Sequence, residues 1–378
     1  MCVRRSLGAR WVRSIYLMTR CIEPLSDLGL SIRCATVMDL EILDWPDGWE
    51  DFGTTAFPKL NAHHQAWISG VADGLSHRPY LIRAKEEGRV TGLLPLMLVK
   101  GPIFGRFLVS LPYVNTGGVW AKDETVARGL IDQACQLADR LEVKYLELRH
   151  EVPVQHERLN FERTDKFHMR LELPSTAEEL LKSFKSKHRS QIKKSGDYDL
   201  SVEFGGQELL DDFYRVFARN MRDLGTPVFS RRLFSSLLRE FNGDAEICVV
   251  RKENLPIASG LLVHSGGVSE VPSASSLREY NRTNANMLMY WHLLQRSIER
   301  GSQVFDFGRS SESSGTYRFK RQWGAEPSPA VWQYYVRSGS PEEMRPDSDG
   351  KQRLVKVWQH LPVSLTKWVG PTIVRGIP

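Results

Sequence analysis

Apolar side chains along this chain recur with a period near two in some stretches and near 3.6 in others, the signatures of half-buried strands and of helices. From Ser31 the pattern predicts a short strand (Ser31–Val37), then helical segments at Trp49–Ala56 and His64–Leu75. Strands follow at Pro79–Ala84 and Val90–Val99, hinged at Glu87–Gly88, with a short one at Phe107–Pro112. Within Thr125–Leu141 the residues Val126, Leu130, Ile131, Ala134, Leu137, Ala138 and Leu141 fall on one helical face. Lys144–Arg149 and Phe167–Leu173 alternate again as strands.

The same order then returns. Helices are predicted at Gln207–Leu224 and Ser230–Phe241, strands at Glu246–Arg251 and Ile257–His264 with a hinge at Glu253–Asn254, and a third strand at Val268–Ser273. A helix over Ala285–Arg300 ends at Gly301, where a left-handed residue is wanted. Strands Gln303–Phe307 and Ala330–Val336 complete the series, the last closing the sheet. Residue echoes accompany the repeat. Tyr80–Leu94 lies without gaps over Cys248–Leu262, and YLELR (Tyr145–Arg149) resembles FDFGR (Phe305–Arg309). Two copies of one α/β unit are therefore expected, residues 38–173 and 174–338, with a tail at 339–378. The predicted class is α/β with a mixed sheet, in the element order of tandem GNAT-like acetyltransferase domains, a likeness of fold that does not give function.

Composition adds limits. The chain has 378 residues, 41% hydrophobic and 25% charged, the balance of a soluble globular protein with room for two cores. No apolar run approaches the roughly 20 residues that span a bilayer. The formal charge of +6 suggests nucleic acid until it is located. Residues 1–37 carry six Arg against Glu23 and Asp27, leaving 45 basic and 43 acidic residues elsewhere. That leader lacks a continuous apolar region and reads either as an organelle-targeting segment or as a start placed upstream of Met18 or Met38. The five cysteines never form CxxC, so neither a disulfide framework nor a zinc site is expected, and the compartment is read as reducing and cytoplasmic.

The segment FDFGRSSESSGTYRFKRQWGAEP (Phe305–Pro327) resembles the C-terminal signature of FemAB-like proteins, particularly a branch found with exosortase/PEP-CTERM and exopolysaccharide systems. Gly92–Gly118, Leu146–Glu151, Asn220–Ser230, Glu270–Ser276 and LPVSLTKWVGPTIVRGIP fit the same branch, so the resemblance covers nearly everything after Met38. It implies transfer of an acyl or aminoacyl group to an amine or hydroxyl of an envelope saccharide or its lipid-linked precursor. The donor would be aminoacyl-tRNA or acyl-CoA, with no resident cofactor, no metal and no DNA partner. Membrane contact would be peripheral at most, at the inner face. An acyl-CoA-dependent N-acetyltransferase and a non-catalytic polysaccharide-binding module are the competing readings.

Acyl transfer needs a neutral nucleophile, a polarised carbonyl and a place for the developing oxyanion. Asp306, delivered by a strand before Gly308, is the candidate for orienting or deprotonating the acceptor; the alternative is a structural acid paired with Arg309 or capping the next turn. Arg309 and Ser310 supply donors beyond that strand. Tyr317 and Lys320 follow a Gly-Ser-rich bend, and the resemblance places the Phe319–Lys320 pair by the substrate cleft, where a lysine holds phosphate or carbonyl by point charge. Glu270 and Ser273 lie on the third strand of the second series, with Tyr280 and Asn286 leading into the next helix. That stretch (Tyr280–Leu288) has no glycine, which weighs against a pyrophosphate-wrapping loop for CoA. Tyr113 and Asn115 form a polar loop that either lines the acceptor groove or supplies special turn angles. In the basic run Lys182–Lys194, one helix would place Lys185, Arg189 and Lys193 on a common face, as an anion site or simply a solvated one.

Overall fold

The computed structural model describes residues 38–44, 63–344 and 349–378, so the expected leader, the Ser31–Val37 strand and the Trp49–Ala56 helix lie outside the described residues. The first run of elements is β1 (Met38–Asp44), α1 (Gln65–Leu75), β2 (Arg78–Glu86), β3 (Arg89–Gly101), β4 (Gly105–Val109), β5 (Trp120–Ala121), α2 (Glu124–Arg140), β6 (Tyr145–His150) and β7 (Phe161–Glu172). The second is α3 (Ala177–Ser183), α4 (Ser186–Lys194), β8 (Leu200–Gly205), α5 (Leu210–Leu224), α6 (Arg231–Phe241), β9 (Ala245–Lys252), β10 (Leu255–Ser265), β11 (Val268–Ser276), α7 (Ala285–Glu299), β12 (Val304–Ser310), α8 (Gly315–Gln322) and β13 (Glu326–Val336). Helices α9 (Asp349–His360) and α10 (Val363–Val374) follow.

All strands join one mixed sheet, ordered β1-β2-β3-β4-β6-β13-β7-β12-β11-β10-β9-β8, with β5 paired to β3. Each run contributes an antiparallel meander, a crossing helix and one parallel pair. Those pairs, β4 with β6 and β11 with β12, are joined over three residues each, Phe107–Val109 against Tyr145–Glu147 and Val268–Glu270 against Val304–Asp306. The architecture is tandem GNAT-like, as the repeat predicts.

The centre of the sheet departs from expectation. Rather than closing the second series, β13 pairs with β6 of the first, while β7 pairs with β12 of the second, and β13 and β7 pair with each other. Each run thus gives its last strand to the other. On one face α1 packs against α6, where Gly74 stands so close to the Leu233 backbone that a Cβ would come within 2.5 Å. A single core accordingly mixes Trp67 and Val71 of the first run with Phe213, Phe234 and Leu237 of the second. Further cores lie under α7 and under α2, and a smaller one joins Phe107 and Tyr145 to Trp332 and Tyr334.

Four local differences bear on function. The basic run is broken: Phe184 is extended between α3 and α4, so Lys185 is an N-cap residue and not part of one continuous helix. The stretch after Gly315 is a helix, capped by the Ser314 hydroxyl on the Tyr317 amide. Leu200–Gly205 adds an edge strand beside β9. In the tail, Pro362 separates the two helices, whereas Pro371 lies inside α10.

Candidate functional site

The polar cluster at the centre of the sheet begins with a bulge in β12. Asp306 pairs with Arg170 and Arg309 with His168, so three steps on β12 span two on β7. Side chains alternate along a strand, and an odd separation would send Asp306 and Arg309 to opposite faces. The extra residue restores them to one face, beside His168 and Arg170. Gly308 makes the bulge possible with φ of +75°, a conformation costly for any residue with a Cβ.

Asp306 is buried and fully engaged. One carboxylate oxygen accepts the Gly308 amide at 2.7 Å and the other accepts Arg170 Nε at 2.9 Å. Its cationic partner is therefore Arg170 and not Arg309, and it caps the turn as well. Arg170 also donates to Glu151. Burial pushes the Glu151 carboxyl up, but the hydrogen bond and charge of Arg170 outweigh it and hold the pKa below the usual value.

Asn115 ties the two runs together. Its Oδ1 accepts Arg309 Nε at 3.2 Å, its Nδ2 donates to Glu270 at 3.1 Å, and its carbonyl accepts Trp332 Nε1 at 3.3 Å. The loop bringing it there has positive φ at Leu111 (+58°) and Tyr113 (+69°), so the special angles fall on residues other than the Asn. Such non-glycine strain is held only where surrounding contacts over-determine the backbone. Tyr113 itself turns to the C-terminal helix, donating to the Arg375 carbonyl at 3.1 Å and stacking on His77.

Helix α8 returns Lys320 to the bulge. Its Nζ donates to the Gly308 and Arg309 carbonyls at 3.1 and 3.0 Å, 8% exposed. Burial lowers its pKa to about 8, with Arg309 adding to the fall and Asp306 opposing it. Arg309 lies with its guanidinium 3.4 Å from the centroid of Trp332. Among the described residues neither cation has a carboxylate within ion-pair distance.

The internal repeat gives that fact its force. In the echo of YLELR with FDFGR, Arg149 corresponds to Arg309, and it too sits over Trp332, at 4.0 Å. Arg149 is neutralised by Glu147 two residues earlier, at 2.7 Å, with both side chains buried. In strand register Glu147 matches Asp306, each the third residue of its parallel pair, but the bulge sets Asp306 one residue further from Arg309 and it bonds Arg170 and the Gly308 amide instead. Arg149 is thus a closed ion pair, whereas Arg309 contacts Asn115 and Trp332 and no carboxylate among the described residues.

His168 shares this face at 1% exposure, and neither ring nitrogen has a protein partner. Burial and then Arg170 bring its pKa to about 4, so it is neutral near pH 7 and holds one unmet donor and one unmet acceptor. His168, Arg170, Glu151, Arg149 and Trp332 were not singled out in the sequence. The signal available was FHMRLE, a strand whose polar residues fall at alternate positions although it lies mid-sheet.

The remaining candidates are dispersed. Ser310 bonds to Thr316 at the start of α8 (3.3 Å), and Tyr317 packs edge-on against Phe167. Glu270 joins the cluster through Asn115, opposite Asp306 in the parallel pair. Among the described residues no hydrogen bond links Ser273, Tyr280 or Asn286 to it. Lys185, with Lys187, His188, Gln191, Tyr317, Arg318, Arg321 and Gln322, lines a cavity of about 490 Å³ between α4 and α8, four cations and no acid. Arg189 points back to the Phe184 carbonyl, closing α3, and Lys193 is exposed outside that lining.

Comparison with known proteins agrees with this fold. Residues 182–321, the stretch holding Glu270, Asp306, Arg309 and Lys320, match the family model described as acetyltransferase (GNAT) domain. The structure resembles that of FemX, with 15% identity, 85% of this chain and 100% of that chain covered, and a TM-score of 0.60. It also resembles a tandem GNAT protein from the clavulanic acid biosynthesis pathway, solved without AcCoA (12% identity, 80% and 99% covered, TM-score 0.51). A third likeness is to a conserved protein of unknown function from Bacteroides thetaiotaomicron (9% identity, 76% and 97% covered, TM-score 0.50). No curated protein matches the chain in sequence. Residues 182–321 thus match a GNAT-type acetyltransferase domain, and the chain as a whole has a tandem fold like that of FemX.

Proposed function

We propose that the protein is an acyl- or aminoacyl-transferase whose reaction takes place at the β12 bulge, with the amine or hydroxyl of an envelope or exopolysaccharide precursor as acceptor. The observation that carries this is the pair of cations at the bulge, Lys320 buried and Arg309 half-buried, neither with a carboxylate within ion-pair distance among the described residues. Lys320 spends two of its three N–H bonds on the Gly308 and Arg309 carbonyls. The third, with the free guanidinium N–H groups of Arg309, is suited to the oxyanion that develops as the donor carbonyl is attacked. Asp306, with both oxygens engaged, acts as a positioning residue that holds the bulge and Arg170.

The cationic cavity between α4 and α8 supports a donor on a polyanionic carrier, tRNA or CoA, since phosphates want cationic neighbours. The exosortase/PEP-CTERM-associated branch that the sequence resembles supports a saccharide acceptor, soluble or lipid-linked.

The test is a donor screen read by mass spectrometry, with charged tRNAs and acyl-CoAs offered beside a lipid-linked saccharide extract. A product mass shift with one donor is expected, lost in Lys320→Met and Arg309→Met and largely kept in Tyr113→Phe. Saccharide binding without turnover on any donor would replace this reading with that of a binding module.

A further inference from the structure

Helices α9 and α10 show apolar side chains on two faces. Inward, Val355 packs on Gly225, Gly370 on Val228, and Thr366 and Val374 are buried. Outward, Leu354 is 68% exposed, Val357 61%, Leu365 38% and Trp368 79%. A surface helix ordinarily turns polar residues to water, so a second apolar face signals a partner. Two further exposed apolar residues adjoin it: Leu224, next to Gly225, and Ile103, on the hairpin whose Gly101 packs against Gly376.

The charge of the same segment names the partner. From Gly350 to Pro378 the chain has Lys351, Arg353, Lys356, Lys367 and Arg375 and no Asp or Glu. We propose that this face docks on the surface of an anionic lipid bilayer, Trp368, Leu354 and Val357 entering the headgroup boundary and the basic residues meeting lipid phosphates. Aromatic and aliphatic side chains on one face with a purely basic flank are the chemistry of an interfacial helix. Neither helix is long and apolar enough to cross a membrane. A second copy of the chain is a poor occupant, because a two-fold contact would set the basic residues of Gly350–Pro378 against their own copies. The inference is independent of the reaction proposed above.

The test uses the full chain in vesicle sedimentation, with phosphatidylcholine alone or mixed with phosphatidylglycerol. Binding to the mixed vesicles is expected, weakened by salt as screening requires. Trp368→Ser, and separately Leu354→Ser with Val357→Ser, should each lower the partition coefficient about tenfold with an unchanged urea midpoint. Arg353→Glu with Lys356→Glu should remove the preference for phosphatidylglycerol. Failure to sediment with either vesicle would overturn the proposal, as would binding unaltered by all these changes. A dimer in light scattering that Trp368→Ser dissolves, without lipid binding, would assign the face to a second copy instead.

Discussion

Replacing Lys320 by methionine separates what the fold needs from what the chemistry needs. The ammonium is buried and its pKa falls from 10.5 to about 8. In the unfolded chain it keeps the ordinary value, so the unfolded state binds the proton more tightly and stability rises with pH. At about 1.4 kcal/mol per pKa unit, the fall sets about 3 kcal/mol against the folded state below pH about 8. The opposition fades as pH climbs from about 8 towards 10.5. Against it stand two hydrogen bonds to backbone carbonyls, worth about 1 kcal/mol each net. Methionine, unbranched and of similar length, removes both contributions and fills the space. Urea unfolding at pH 7 should therefore place Lys320→Met within about 1 kcal/mol of the parent. Between pH 7 and 9 the parent should gain about 1 kcal/mol relative to the variant. Transfer activity should fall at least ~100-fold, the scale of losing one oxyanion donor. A loss of more than about 3 kcal/mol at pH 7 would mean the lysine is half of a structural ion pair, and a difference flat in pH would refute the burial argument.

Other consequences follow from the same contacts. Gly308→Ala forces a Cβ into φ +75° and to 3.2 Å from Asn115 Nδ2; a loss of about 1–2 kcal/mol in urea unfolding is expected, together with loss of transfer. Arg170→Met strips Asp306 and Glu151 of their shared cation, and the uncompensated buried Asp306, with half-buried Glu151 beside it, should cost about 3 kcal/mol, while Asp306→Asn in the same chain recovers part of that. His77, His150, His168, His188 and His264 are each brought by burial from 6.5 to about 4. They fold neutral, so stability is full above pH 6.5 and lost as pH falls towards 4, with on the order of 1 kcal/mol from each already gone at pH 5.5. Intrinsic fluorescence should show acid unfolding well above pH 4, and a native spectrum at pH 4 would contradict this.

The chain by itself determined the repeat, because strand alternation, helical spacing and the Gly301 cap are local properties written at fixed intervals. It also carried Asp306, Gly308, Arg309 and Lys320, since a glycine between polar residues at a strand end marks a bend that aims side chains. What it left open is pairing. That β7 and β13 change places at the centre of the sheet depends on contacts between residues roughly 130 to 190 apart in sequence, which no local pattern specifies. Hence, of the alternatives open for Asp306 as a structural acid, capping the turn holds while pairing with its neighbour Arg309 gives way to Arg170 across the sheet, which no local pattern marks. The bulge register likewise exists only between two strands, and it alone decides that Asp306 and Arg309 share a face. Tyr113 reads equally as a groove residue or as part of a turn until the C-terminal helix, over 250 residues later, is seen to claim its hydroxyl. The open charge of Arg309 is legible only when both arginines meet Trp332 and one is found already neutralised. Propensity and periodicity act along the chain; neutralisation, strain and access are settled across it.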